Sequence, residues 1–221
     1  MITVHHLENS RSQRVLWLLE ELQVPYDIVR YERNKKTMLA PPELKKIHPL
    51  GKSPVIVDRG TVVAETGAIL EHLLEQFGNG ALVPAPSTPE RRRYSFWMHY
   101  AEGSAMPWLF LKLVMSRIAP GSPLLVRPLA GAVAKTVINT FVDPQLKTHV
   151  DFWEHELAER DYFAGNEFTA ADIQMSFPVE AGAQRAYSTA DRPRLRAYLE
   201  RIHARPAYKR ALERGGPYAY A

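Results

Sequence analysis

The chain has 221 residues, 46% of them apolar, enough for one large folded domain or two small ones, each with its own core. It contains no cysteine, which excludes disulfide frameworks, thiolate nucleophiles of its own and cysteine-based metal sites, and fits a reducing, cytoplasmic setting. The formal net charge of +4 is unevenly placed, with nine Lys or Arg against three acids between Arg185 and Arg214. No nucleic-acid-binding motif accompanies that charge, so it reads as solvated helical faces that draw anionic small molecules.

Ile2–His6 is short and alternating, the pattern of a strand, and no basic region followed by an apolar stretch marks a secretory signal there. From Ser10 to Leu22, Val15, Leu18, Leu19 and Leu22 recur at helical spacing behind polar capping residues. Tyr26–Tyr31 reads as a second strand, completing a right-handed βαβ unit. A short helix over Pro41–Ile47 leads into the loop His48–Gly51. Pro54 opens a β-branched run, an odd place for a residue that cannot donate to a ladder. A cis Ser53–Pro54 bond would start that strand after a sharp turn and leave the amide and carbonyl of Val55 free for an extended, peptide-like ligand. Val55–Val57 and Thr61–Ala64, joined by Asp58-Arg59-Gly60, form a hairpin. A helix over Glu65–Phe77 follows, with Glu65 and Thr66 in its first turn, where free amides and the helix dipole suit a carboxylate. The order βαβ, short helix, ββα gives a mixed four-stranded sheet of the thioredoxin-like kind over residues 1–80.

Gly78-Asn79-Gly80, then Pro84, Pro86 and Pro89, place a stiff linker over residues 81–89. Residues 90–221 read as an all-helical domain with helices over Arg91–Met115, Leu124–Phe141, Pro144–Arg160, Ala170–Ala186 and Arg194–Leu212. The most apolar stretch, Leu109–Val142, is broken by Lys112, Arg117, Arg127 and Lys135, so no membrane span is expected. Thr169 and Asp172 have the spacing of a capping box, which makes Asp172 a structural residue of a buried turn. No His, Asp and Glu set has metal-ligand spacing, and no metal is expected.

Ser10–Arg14 at the first strand–helix junction, Lys52-Ser53-Pro54-Val55, Glu65-Thr66 and Thr169–Asp172, on either side of the proline linker, resemble a cytosolic glutathione transferase over almost the whole chain. The resemblance implies that the first domain binds glutathione, that the second lines a pocket for a small hydrophobic electrophile, and that the protein is a homodimer. The loop His6–Ser12 stands where that family keeps its thiol-activating residue. Tyrosine-type classes place theirs near the end of the first strand, where this chain has His5 and His6, and cysteine-type classes are excluded. The pattern is then of the bacterial serine or asparagine type, with Ser10 as the catalytic candidate and Asn9 as its competitor. A hydroxyl or amide donor need only stabilise the thiolate, since donation to the charged form lowers a thiol pKa.

By the same resemblance, Glu65 pairs with the γ-glutamyl ammonium and Thr66 receives the α-carboxylate. Val55 pairs with the cysteinyl backbone beside Ser53 and Pro54, while Lys52 meets the glycyl carboxylate, with His48 or Lys36 as helper. Tyr100, Met106, Trp108, Phe110 and Leu111 are candidates for the electrophile pocket, although such residues at helical spacing also make plain core. Two other readings stand beside conjugation. One is a glutathione-dependent peroxidase or disulfide reductase, and the other a non-catalytic binding module of the same fold.

Overall fold

The alternating apolar residues of Ile2–Leu7 build the second strand of the sheet, and everything else in the first half is laid around it. The computed structural model describes residues Met1–Tyr220. Strand β1 (Ile2–Leu7) is followed by helix α1 (Ser12–Glu21) and strand β2 (Tyr26–Tyr31), then by a 3-10 turn at Pro42–Lys46. Strands β3 (Val55–Asp58) and β4 (Thr61–Ala64) form the hairpin, and helix α2 (Thr66–Phe77) closes the unit. The sheet order is β2-β1-β3-β4. β1 and β2 run parallel, with Val4 beside Ile28, and the other pairs are antiparallel, with Val4 beside Ile56. The mixed four-stranded sheet expected from the sequence is therefore present, and the Ser53–Pro54 bond is cis.

Helix α1 starts two residues later than its periodicity suggests. The Ser12 amide donates to the Ser10 hydroxyl at 3.2 Å, which holds Ser10 in a turn ahead of the helix. Every residue of α1 from Ser12 to Glu20 is buried, because the helix lies between the sheet and the helical half. Burial on all sides is more than an amphipathic pattern foretells.

The helical half comprises α3 (Pro89–Tyr100), α4 (Met106–Gly121), α5 (Arg127–Val137), α6 (Asp143–Glu156), α7 (Ala170–Arg185), α8 (Pro193–His203) and α9 (Pro206–Gly215). Helix α3 begins with Pro89 at its first position, and the Thr88 hydroxyl accepts the Arg91 amide at 3.1 Å. Wide π turns over Ala101–Ala105 and Ile138–Val142 carry α3 into α4 and α5 into α6. The sequence reading ended a helix before Pro144, yet the chain stays helical through it. Pro107 and Pro144 each sit just after a π turn, whose shifted hydrogen bonds accommodate a residue without an N–H. Conversely, the single helix expected over Arg194–Leu212 is two. Pro206 drives Arg205 to φ −62°, ψ 132°, outside the helical region, and α9 starts afresh. Among the described residues no helix is long and apolar enough to cross a membrane.

The basic C-terminal segment has a structural use. Arg205 forms two hydrogen bonds, 2.6 and 2.9 Å, to the Glu21 carboxylate of α1. Arg210 and Arg214 reach Glu20 at 2.8 and 3.1 Å, and Tyr26 donates to the same carboxylate. Burial works against the charge on Glu20, but the donors Arg210, Tyr26 and Arg214 outweigh it and hold its carboxyl below the usual range. Trp17 packs edge-on against Tyr208 beneath these pairs. The cations thus clamp α9 to α1.

Asp172 is fully buried and accepts from the Phe163 amide at 3.0 Å, the Thr169 amide at 2.9 Å and the Thr169 hydroxyl at 3.1 Å. Burial raises its pKa to about 6 against the pull of those donors. Because the folded value lies above the unfolded one, its protonation contributes stability that is fully present below the unfolded pKa and lost as pH rises through about 6. Asp172→Ala orphans two buried amides, and urea denaturation at neutral pH is expected to show a loss of about 2–4 kcal/mol.

Candidate functional site

The end of β4, the start of α2 and the turn into β3 meet at an open cleft of about 270 Å³. His48, Lys52, Ser53, Pro54, Val55, Glu65 and Thr66 all line it, together with Arg11 and Glu102. Lys36 is exposed and is not among the lining residues. The Ser53 hydroxyl donates to the His5 carbonyl at 2.9 Å and accepts the Leu7 amide at 3.2 Å, standing in for a ladder partner where β3 has not yet begun. Its own main-chain N–H and C=O make no hydrogen bond within the described residues. Val55 lies in register with His5 on one side and Ala64 on the other. The open peptide edge of the cleft is therefore at Ser53, two residues before Val55, the position singled out from the sequence.

Glu65 precedes α2 with φ 72° and ψ 127°, a conformation that costs a non-glycine residue about 1–3 kcal/mol. The side chain is exposed at the cleft, and its carboxylate has no partner among the described residues. Thr66, buried, opens the helix, whose first amides face no intrahelical acceptor. A carboxylate, a helix N-terminus and the exposed ammonium of Lys52 thus share one cleft. That layout suits a small zwitterionic ligand with an ammonium and more than one carboxylate.

Beside the cleft, the loop after β1 carries Asn9 and Ser10, neither of which is among the lining residues. Ser10 is buried, and its hydroxyl lies 2.8 Å from that of Ser12, which in turn lies 2.8 Å from Nδ1 of His6. Burial, aided by the charge of Arg30, lowers the His6 pKa to about 4, so the ring is neutral at pH 7. Asn9 is half-buried in the left-handed region, at φ 47°. Its Oδ1 accepts the Ala219 amide at 2.8 Å, and its NH₂ group has no partner among the described residues.

Arg11 and Glu102 were not anticipated. Arg11 Nε lies 3.1 Å from Glu102 Oε2, and Arg14 donates to Glu102 Oε1 at 2.6 Å and to Gln174 at 3.2 Å. Burial pulls the Arg14 pKa below its usual value, with Glu102 opposing. Glu102 sits in the π turn between α3 and α4, which a period of 3.6 residues does not reveal. Its one signal in the sequence is a lone acid beside Gly103 in an apolar stretch. Of the residues considered for an electrophile pocket, Tyr100 and Met106 are core, Trp108 packs on Phe141, and Phe110 is exposed. None of them lines the cleft.

A thioredoxin-like sheet with this cleft at its edge, followed by helices packed on α1, defines a two-part class of fold with a ligand cleft on the sheet half. Residues 1–75 match the glutathione S-transferase N-terminal domain and residues 139–206 the glutathione S-transferase C-terminal domain. The chain is 38% identical over 215 residues to glutathione S-transferase 3 of Schizosaccharomyces pombe, covering 97% of this chain and 88% of that one. A glutathione S-transferase structure from Actinobacillus pleuropneumoniae superposes with a TM-score of 0.77 at 32% identity, over 100% of this chain and 95% of that one. A disulfide-bond oxidoreductase of Escherichia coli is 26% identical, with 96% of this chain and 94% of that one covered. The chain belongs to the glutathione S-transferase family.

Glu65→Gly removes both the backbone penalty and the carboxylate. Thermal unfolding is expected to show a gain of about 1 kcal/mol. If the Glu65 carboxylate meets the ligand's ammonium, calorimetry is expected to show glutathione binding weakened about tenfold or more.

Proposed function

We propose that the protein binds glutathione in this cleft and transfers its thiolate to a small hydrophobic electrophile. The observation that carries the reading is the charge order along the cleft. Glu65 meets the γ-glutamyl ammonium, Thr66 and the first amides of α2 meet the α-carboxylate, and Lys52, helped by His48, meets the glycyl carboxylate. The cysteinyl main chain pairs in strand fashion with the segment Ser53-Pro54-Val55. This directs the thiol toward the loop Asn9–Arg11.

The state of two side chains supports Asn9 as the thiolate donor. The Ser10 hydroxyl is buried and engaged with Ser12, whereas Asn9 keeps an uncommitted NH₂. An amide cannot accept the thiol proton, which leaves to solvent, but its donation favours the anion. The thiolate then attacks an electrophilic carbon. A carbon–sulfur bond forms and a leaving group departs with its electron pair, or an unsaturated carbonyl takes up the proton. Glutathione-dependent disulfide reduction is the second reading, favoured by the similarity to the Escherichia coli oxidoreductase. We assign the protein to the cytoplasm, with a role in detoxification, and as a homodimer. The outer face of α3 and α4, where Phe96, Phe110, Val114 and Ile118 are exposed, offers a surface for the second copy.

Ultraviolet absorbance of bound glutathione thiolate across pH tests the assignment. Asn9→Ala is expected to raise the thiol pKa by about 1–2 units, the worth of one hydrogen bond to a charged group, and Ser10→Ala to shift it far less. The reverse order of effects would return the role to Ser10. Turnover with a haloarene compared with a mixed disulfide separates conjugation from reduction.

A further inference from the structure

Beyond α9 the chain turns back at Gly216, where φ is 81° and a Cβ would collide with the Arg30 guanidinium. The tail that follows is held along its length. The Tyr218 hydroxyl donates to Glu180 Oε2 at 2.6 Å. Glu180, 2% exposed in α7, also accepts the Tyr208 hydroxyl at 2.8 Å and faces Nε2 of His203 at 3.0 Å. Gln184 donates to the Ala219 carbonyl, and Arg185 donates to the Tyr220 hydroxyl at 2.6 Å. The Tyr220 ring packs 5.1 Å from that of Phe177. A tail of this length has no apolar core of its own to fix it, so a buried carboxylate and three further anchors give it one path. At the end of that path, the Ala219 amide donates to Asn9 Oδ1.

We propose that the tail Pro217–Tyr220 is a strap that positions the thiolate donor, an inference resting on the assignment of Asn9 above. A side-chain amide has two faces of opposite polarity, and rotation by half a turn exchanges them. With its oxygen bound by Ala219 N–H, Asn9 can present only NH₂ on its other side. Freed from the strap, the amide also adopts the flipped orientation, in which its oxygen faces the thiolate and repels it. The tail touches no reacting atom. It acts through Asn9, and its effect belongs to the thiol pKa and kcat rather than to glutathione affinity.

Ala219→Pro removes the N–H, and Ala219→Gly retains it. Ala219→Pro is expected to raise the pKa of bound glutathione and to lower kcat about fivefold, the effect of one neutral hydrogen bond, with the glutathione Kd from calorimetry unchanged within twofold. Ala219→Gly is expected to restore the wild-type thiol pKa. Tyr218→Phe, which releases the anchor, and truncation after Gly216 are expected to reproduce the proline variant, and they carry the test if that variant does not fold. A wild-type thiol pKa in these variants, while Asn9→Ala shifts it, overturns the strap and leaves the donor assignment standing. An unshifted pKa in Asn9→Ala overturns both, and absence of glutathione binding by the parent protein overturns the functional reading itself.

Discussion

Arg14 is a guanidinium with 1% of its side chain exposed, and its carboxylate partner, Glu102, comes from the other half of the chain. Glu102 is 33% exposed and also meets Arg11, so it tolerates the loss of its partner, but removing Glu102 leaves the Arg14 guanidinium charged and dry, at a cost of up to about 3–5 kcal/mol. Two of its nitrogens have no partner among the described residues, which makes the contact with Glu102 harder to replace. The pair therefore ties α1 to the π turn between α3 and α4, and through Arg11 it reaches the cleft wall. Glu20 and Glu21 at the far end of α1 repeat the arrangement with opposite sign, meeting Arg205, Arg210 and Arg214. Helix α1 is thus pinned at both ends to the helical half, and the loop that carries Asn9 is set by where that helix lies.

Much of the first half was legible because local chemistry and tertiary structure agree there. The alternation in Ile2–His6, the hairpin around Asp58–Gly60 and the helix behind Glu65 each meet one packing demand, and each formed within two residues of its expected bounds. Thr169 and Asp172 were legible for the same reason, since a capping box is complete within four residues. The helical half was less legible because its irregularities compensate one another over distance. A proline signals a break, yet Pro107 and Pro144 follow π turns that absorb them, while Pro206, without such a turn, does break its helix. The Arg-rich segment looked like a solvated face because the carboxylate partners of Arg205, Arg210 and Arg214 lie 184 to 194 residues earlier, in α1.

The binding cleft was more readable than the chemistry beside it. Lys52, Glu65 and Thr66 are named by charge and by position at element ends, and the structure brings them to one wall. The distinction between Asn9 and Ser10 depends on what each side chain already holds, and that is decided by Ser12, His6 and Ala219. The choice between Ser53 and Val55 as the open peptide edge depends on strand register. Neither is a property of residue type, so composition and spacing stop short of both. Glu65 shows the other side of this. The residue with the most costly backbone in the cleft is also the one whose charge the ligand is expected to need, a local expense carried by the packing of α2 against the sheet.

The packing of α9 on α1 also bears on how the molecule comes into being. Helix α1 and the sheet, whose last strand ends at Ala64, are complete in the nascent chain long before Pro206 is added, and at ordinary rates of synthesis the delay is on the order of 7–30 s. Through that interval Leu16, Trp17 and the carboxylates of Glu20 and Glu21 lack the α9 side chains that later cover them. An apolar surface with acids at its edge is less adhesive than a bare one, since like charges keep two such chains apart. Before they seat α9, Glu20 and Glu21 thus place two like charges at the edge of an apolar surface that is still open.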